Sequence, residues 1–150
     1  MPATPDTRLH ETILAFDFGL RRIGVAVGQT VTGSANPLGV IVNRAAGPDW
    51  QRVQQLIEEW GAARLIVGIP LHIDGSPSDI SNRVDAFIGG LGRFSLPVEA
   101  MDERYSSAEA QEMLIAERKL GLRGRIRKEM IDAAAATLIA ERWLRNAHRG

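Results

Sequence analysis

Apolar residues in the first third of the chain fall in short, nearly unbroken runs. Ile13 to Phe18 is apolar except for Asp17, and a short strand without polar alternation is expected to be buried on both faces. Ile23 to Val27 and Pro37 to Val42 read as two further strands. Their connections are short and carry Gly and Asn, so the three strands are expected to pair as an antiparallel meander. The period then changes. Asp49 is placed to cap a helix with Trp50, Val53, Ile57 and Trp60 on one face, and Gly61 closes it. Arg64 to Ile69 is a buried strand ending at Pro70, and Ser78 or Asp79 caps a helix with Ile80, Val84, Phe87 and Leu91 in phase. Pro97 to Met101 is a fifth strand. Ser106 and Glu109 have capping-box spacing for a third helix, Gly121 and Gly124 interrupt it, and Lys128 to Leu144 forms a last helix. The order β-β-β-α-β-α-β-α-α predicts an α/β fold: one five-stranded mixed sheet, an antiparallel meander followed by parallel strands, flanked by helices.

Composition narrows the partners. The 150 residues carry 18 Lys and Arg against 18 Asp and Glu, so bulk affinity for nucleic acid is not expected and only a local patch could act. The chain has no Cys, which excludes a disulfide framework and thiolate chemistry. The polar segment 1–11 reads as a disordered tail and 12–150 as a single domain. No segment has the apolar run of a secretion signal or the ~20 apolar residues of a membrane helix, so a cytoplasmic protein without a membrane partner is expected.

The candidate chemistry is acidic and sits at strand ends, where open α/β sheets collect their functional groups. Asp17 ends an apolar strand, and charged residues are rarely buried without a partner or a metal. Asp102 and Glu103 follow the fifth strand in the same way. Adjacent strand residues face opposite sides, so only one of them can join Asp17, and alternation does not say which. Asp132 lies near the start of the last helix before Ala133 to Ala136, whose small side chains would let that helix approach the sheet closely. Converging carboxylates repel unless protonated or neutralised by cations. Oxygen ligands without Cys favour Mg²⁺ or Mn²⁺, and a pair of such ions suits phosphodiester hydrolysis.

Arginine and glycine segments surround these acids. Gly19 permits a tight turn, and Arg21 and Arg22 lie in the hairpin beside Asp17, suited to phosphate. No helix follows, so the segment is not a dinucleotide fingerprint. Actin- and hexokinase-like ATPases also carry Asp-x-Gly on a first hairpin, but they need a second domain that 150 residues cannot supply. The 118–128 segment contains Arg118, Lys119, Arg123, Arg125, Arg127 and Lys128 with no acid, which reads as a phosphate-backbone clamp. His72 and Asp74, in the loop after the fourth strand, are weaker candidates. Aromatic content is 5%, which argues against a broad base-stacking platform.

Taken together, the motifs resemble the YqgF/RuvX family, whose members are assigned as Holliday junction resolvases and as nucleases maturing the 5′ end of 16S ribosomal RNA. The resemblance runs from about Thr12 to Leu144. It is carried by Leu-Ala-Phe-Asp-Phe-Gly with Ile-Gly-Val-Ala-Val-Gly, by Ile-Val-Gly-Ile-Pro-Leu with Asp-Gly-Ser, by the run from Asp102 to Ala110, and by Ile131 to Ala135. It implies a ribonuclease H-like fold with Asp17, Glu103 and Asp132 as the acidic, metal-binding triad; the choice of Glu103 over Asp102 comes from the family. Departures are small: Leu20, Arg21 and Arg22 stand where Thr-Lys and a variable residue are frequent, His72 where Asn is common, and Ser106-Ser107 where a Thr-containing pair is.

The expectation is therefore a Mg²⁺- or Mn²⁺-dependent nuclease that processes the 5′ end of the 16S rRNA precursor in ribosome biogenesis. Arg21, Arg22, Arg104, Arg123, Arg125, Arg127 and Lys128 would hold phosphates of structured RNA or branched DNA, with ribosomal precursor particles as possible partners. The alternatives are a Holliday junction resolvase, which needs two sites and hence a homodimer rather than a monomer, and a non-catalytic assembly factor.

Overall fold

A computed structural model describes residues 11–69, 81–102 and 128–149. Strand β1 (Thr12–Asp17) pairs antiparallel with β2 (Arg22–Gln29), and β2 pairs antiparallel with β3 (Ser34–Arg44). On its other side β1 pairs parallel with β5 (Arg64–Ile69), which pairs parallel with β6 (Val98–Asp102). A two-residue strand β4 (Gly47–Pro48) turns back against Asn43 and Arg44, so the sheet has six strands in the order β4-β3-β2-β1-β5-β6. The expected five become six because Pro48 and Gly47 have no apolar run or alternation to announce them. The third strand also starts earlier than Pro37, at Ser34: it pairs from Gln29 back through a bulge at Val25/Ala26, and its exposed first residues carry no hydrophobic signal.

The alternation of β2 decides how the layers pack. Ile23, Val25 and Val27 point into one core with Phe16, Leu65 and Val67 from the neighbouring strands. Helices α1 (Trp50–Trp60) and α2 (Ser81–Leu91) cover this face with Val53, Leu56, Val84, Phe87 and Leu91. Phe87 is its hub, meeting Phe16 edge-on at 5.5 Å and stacking on Trp50 at 5.6 Å. The other face of β2 presents Gly24, Ala26 and Gly28. Helix α3 (Lys128–Arg149) lies there, with Ala136, Ile139, Ala140 and Leu144 against Ile13, Ala15 and Ile66.

The Asp49 side chain accepts from Arg52 N at 3.2 Å at the start of α1, and Gly61 ends the helix in the left-handed region at φ 60°. Trp60, expected on the buried stripe, is 36% exposed. It has the right phase but lies in the last turn, and phase sets a direction without supplying a partner. Helix α3 continues five residues beyond Leu144 to Arg149, because no Gly or Pro stops it and Ala147 still packs on the core. The third helix expected after Ser106 lies outside the described residues.

At the amino end of β1, Glu11 is held rather than loose. Its N–H donates to Thr30 Oγ1 at 2.8 Å, and its carboxylate accepts from Arg64 Nε at 3.0 Å. Arg64 Nη1 also donates to Glu99 Oε2 at 2.8 Å, and Trp143 Nε1 donates to Glu99 Oε1 at 3.2 Å. Glu11 above all raises the Arg64 pKa. This network ties β5, β6 and α3 together at the end of the sheet away from Asp17. Among the described residues no helix is long and apolar enough to cross a membrane.

Candidate active site

Asp17 occupies the last position of the central region of the sheet. In register it faces Gly24 on β2 and Gly68 on β5, and Gly68 faces Met101 on β6. Glycine on both neighbouring strands leaves no side chain beside the Asp17 carboxylate in its row. On the β2 side a helix fills the space. A methyl group on Gly24 would overlap the carbonyl of Asp132, so the α3 backbone rests directly on that glycine. The same glycine therefore pairs with Asp17 across the ladder and seats Asp132 above it. This placement follows from residue sizes: Gly24, Ala26 and Gly28 on the strand, Ala133 to Ala136 on the helix.

Asp132 is ion-paired. Arg22 Nε donates to Asp132 Oδ2 at 3.0 Å, with both side chains a little over a quarter exposed. Arg22 shares the strand face of Gly24, two residues on. Arg22, expected to reach phosphate, here makes an ion pair with a carboxylate and so offsets the charge of Asp132. Arg21, next to it, is exposed at the tip of the turn.

The turn is built around Gly19, where an added methyl would overlap the Arg22 carbonyl. Asn43 clamps it from β3: its Nδ2 donates to Gly19 O at 2.7 Å and its N–H donates to Arg21 O at 2.9 Å. Asn43 is 4% exposed, and its Oδ1 is buried without a partner. Sequence reasoning missed this residue. The available signal was a polar side chain two positions after Ile41, in phase with the buried side of its strand.

Asp102 ends β6 in register with Ile69, and Lys128 opens α3. Glu103, Arg104, Arg123, Arg125, Arg127, His72 and Asp74 lie outside the described residues. Among the described residues no group of three acidic or His side chains gathers; the acids brought nearest by the backbone are Asp17, in register with Gly24, and Asp132, whose main chain rests on Gly24. Their carboxylate oxygens are the donor type a hard divalent cation takes, and a cation at Asp132 would share or displace the Arg22 ion pair.

The mixed sheet with helices on both faces and an acid ending its central strand is a ribonuclease H-like fold, as in the resolvases. Thermus thermophilus RuvC, solved in complex with a Holliday junction substrate, is similar with a TM-score of 0.55 at 17% identity, over 91% of this chain and 96% of that one. The Fowlpox virus resolvase, solved with Holliday junction DNA, gives 0.54 at 12% identity, over 90% and 97%. Within that fold, residues 11–146 match the family model described as "RuvX: Holliday junction resolvase", and the chain belongs to this family. A relative in Azotobacter vinelandii named "Putative pre-16S rRNA nuclease" is 46% identical over 88% of this chain and 92% of its own length. A relative of the same name in Pseudomonas aeruginosa strain LESB58 is 47% identical over 88% and 90%.

Proposed function

We propose that this protein is a divalent-metal-dependent nuclease that hydrolyses phosphodiester bonds and processes the 5′ end of the 16S rRNA precursor in the cytoplasm. One observation carries the chemistry: Gly24 seats the Asp132 backbone against the strand position paired with Asp17. Two carboxylates at the carboxyl edge of a ribonuclease H-like sheet are a hard-cation site. The substrate assignment rests on the two relatives and their near-complete coverage.

Asp17 and Asp132 would hold Mg²⁺ or Mn²⁺, with Glu103 as the third ligand. The choice of Glu103 over Asp102 rests on the family resemblance. When bound, such ions lower the pKa of water and stabilise the leaving oxygen of an in-line displacement. The chain's own part is positional. Asn43 fixes the turn that presents Arg21, and Arg22 orients Asp132 while neutralising it before substrate arrives. Arg21, Arg104, Arg123, Arg125, Arg127 and Lys128 would contact substrate phosphates.

The family description and the RuvC likeness favour a second reading, cleavage of four-way DNA junctions. Symmetric cleavage of a junction requires two sites, hence a dimer. The test presents precursor rRNA and a synthetic junction side by side, with molecular mass measured in solution. Cutting of the RNA by a monomer supports the proposal. Paired nicks in the junction by a dimer replace it with the resolvase reading. Metal-independent binding without cleavage of either overturns both.

A further inference from the structure

A groove of about 380 Å³ opens on the sheet face opposite α3. It starts at Phe18, directly after Asp17, and runs along α2. Arg83, Ala86, Phe87 and Gly90 line it at three- and four-residue spacing, and Arg93 follows in the 3₁₀ turn (Gly92–Phe94). Its other wall is Ala45, Ala46, Gly47 and Trp50. Small residues keep it open, and none of the lining residues is acidic.

Both arginines are pre-set. Arg83 Nη2 donates to Arg44 O at 3.0 Å, and Arg93 Nε donates to Gly90 O at 2.9 Å while its guanidinium lies 4.1 Å over the Trp50 ring. Neither meets a carboxylate among the described residues, and each keeps further N–H donors for an anion. Ten residues of nearly helical chain put their Cα atoms about 15 Å apart along the axis, a span that suits a chain of phosphates. Asn43 also lines the groove, and its Oδ1 is the buried acceptor without a partner. A ligand carrying anions together with hydroxyl or amino donors answers both features.

We propose that this groove is a second nucleic-acid subsite, which holds the sugar–phosphate backbone of the substrate strand flanking the bond to be cut. The inference rests on the nuclease reading above. It lies on the face away from Asp132, at the same strand edge, so it extends the substrate path around that edge.

The test is fluorescence anisotropy with a labelled single-stranded RNA in EDTA, as a function of salt. Wild type is compared with Arg83→Gln/Arg93→Gln, with the lysine pair Arg83→Lys/Arg93→Lys, and with Arg52→Gln/Arg145→Gln, which removes two exposed arginines outside the groove. The groove pair is expected to bind at least 10-fold more weakly, and the slope of log affinity against log salt should flatten by about 1.4, two phosphate contacts on a single strand. The lysine pair should recover most of that slope. Unchanged affinity and slope in the glutamine pair, or an equal loss in the Arg52/Arg145 control, overturns the subsite. Cleavage is measured separately in Mn²⁺. If wild type cuts and the groove pair binds normally, the subsite fails and the nuclease reading stands. If wild type does not cut but the groove pair binds poorly, the reverse holds.

Discussion

Asp132 is bound to two things with different consequences: its backbone to Gly24 and its carboxylate to Arg22. The ion pair is partly solvated, so its own contribution to stability is small, about 1 kcal/mol or less. On the proposed function its importance is in compensating Asp132 before a metal binds. Arg22→Gln is therefore expected to lower the melting temperature in EDTA modestly, while the gain on adding Mn²⁺ becomes larger than in wild type. Thermal denaturation with and without Mn²⁺ checks this, and an equal gain in the two proteins would contradict the compensating role. At this scale the sequence was informative where a charge interrupts an apolar pattern, as at Asp17. It was uninformative about Arg22, because a hairpin arginine suits a phosphate and a carboxylate equally well. Asn43 was illegible because its value lies in carbonyls 22 and 24 residues away in the chain.

Among the elements, β2 and α3 set the site, and they do so through missing side chains. Gly24→Ala must push either the strand or the Asp132 backbone aside, and neither can rotate away as a side chain would. A loss of about 3 kcal/mol is expected, at the upper end for overpacking, together with loss of cleavage. Gly89→Ala provides the contrast: the position is helical, exposed and meets nothing within 4 Å. There the replacement should stabilise by up to about 1 kcal/mol, the ordinary helix preference for Ala. Urea titration of both variants checks the pair; similar values would mean that the close approach at Gly24 is not tight. The strand–helix order was readable because apolar runs and 3.6-residue periods differ clearly. β4 and the first residues of β3 were not, since backbone pairing at a polar edge needs no hydrophobic pattern. Trp60 shows the reverse failure, an apolar residue in phase without a neighbour to cover it.

For the whole molecule, the sheet separates two cores with separate tasks. On the α3 side small residues, Gly24, Ala26 and Gly28 against Ala133 to Ala136, let the helix backbone close on the sheet and position Asp132. The α1–α2 side is aromatic and holds the layers together, with Phe87 touching Phe16, Phe18 and Trp50. Phe87→Ala should cost about 3–5 kcal/mol by denaturant unfolding, and it should also weaken RNA binding through the groove that Phe87 lines. A cost below about 1 kcal/mol would mean that the ring cluster is not the main support of that face. The fold class was legible from element order alone, because an antiparallel meander followed by crossover units leaves few topologies. That the Asp132 backbone rests on Gly24, the residue in register with Asp17, needed the three-dimensional fit, although the run of alanines hinted at it.

On the proposed function, Asp17 and Asp132 form one metal-dependent cleavage centre. The most direct measurement follows cleavage of a 16S rRNA precursor carrying its 5′ extension, in Mn²⁺ and in EDTA, by wild type, Asp17→Asn and Asp132→Asn. Wild type is expected to cut at the 5′ side only with the metal, and each variant at least 100-fold more slowly, with folding retained by circular dichroism; the size follows from losing several kcal/mol of charge stabilisation. Cutting by either folded variant at the wild-type rate, or undiminished cutting in EDTA, would contradict it.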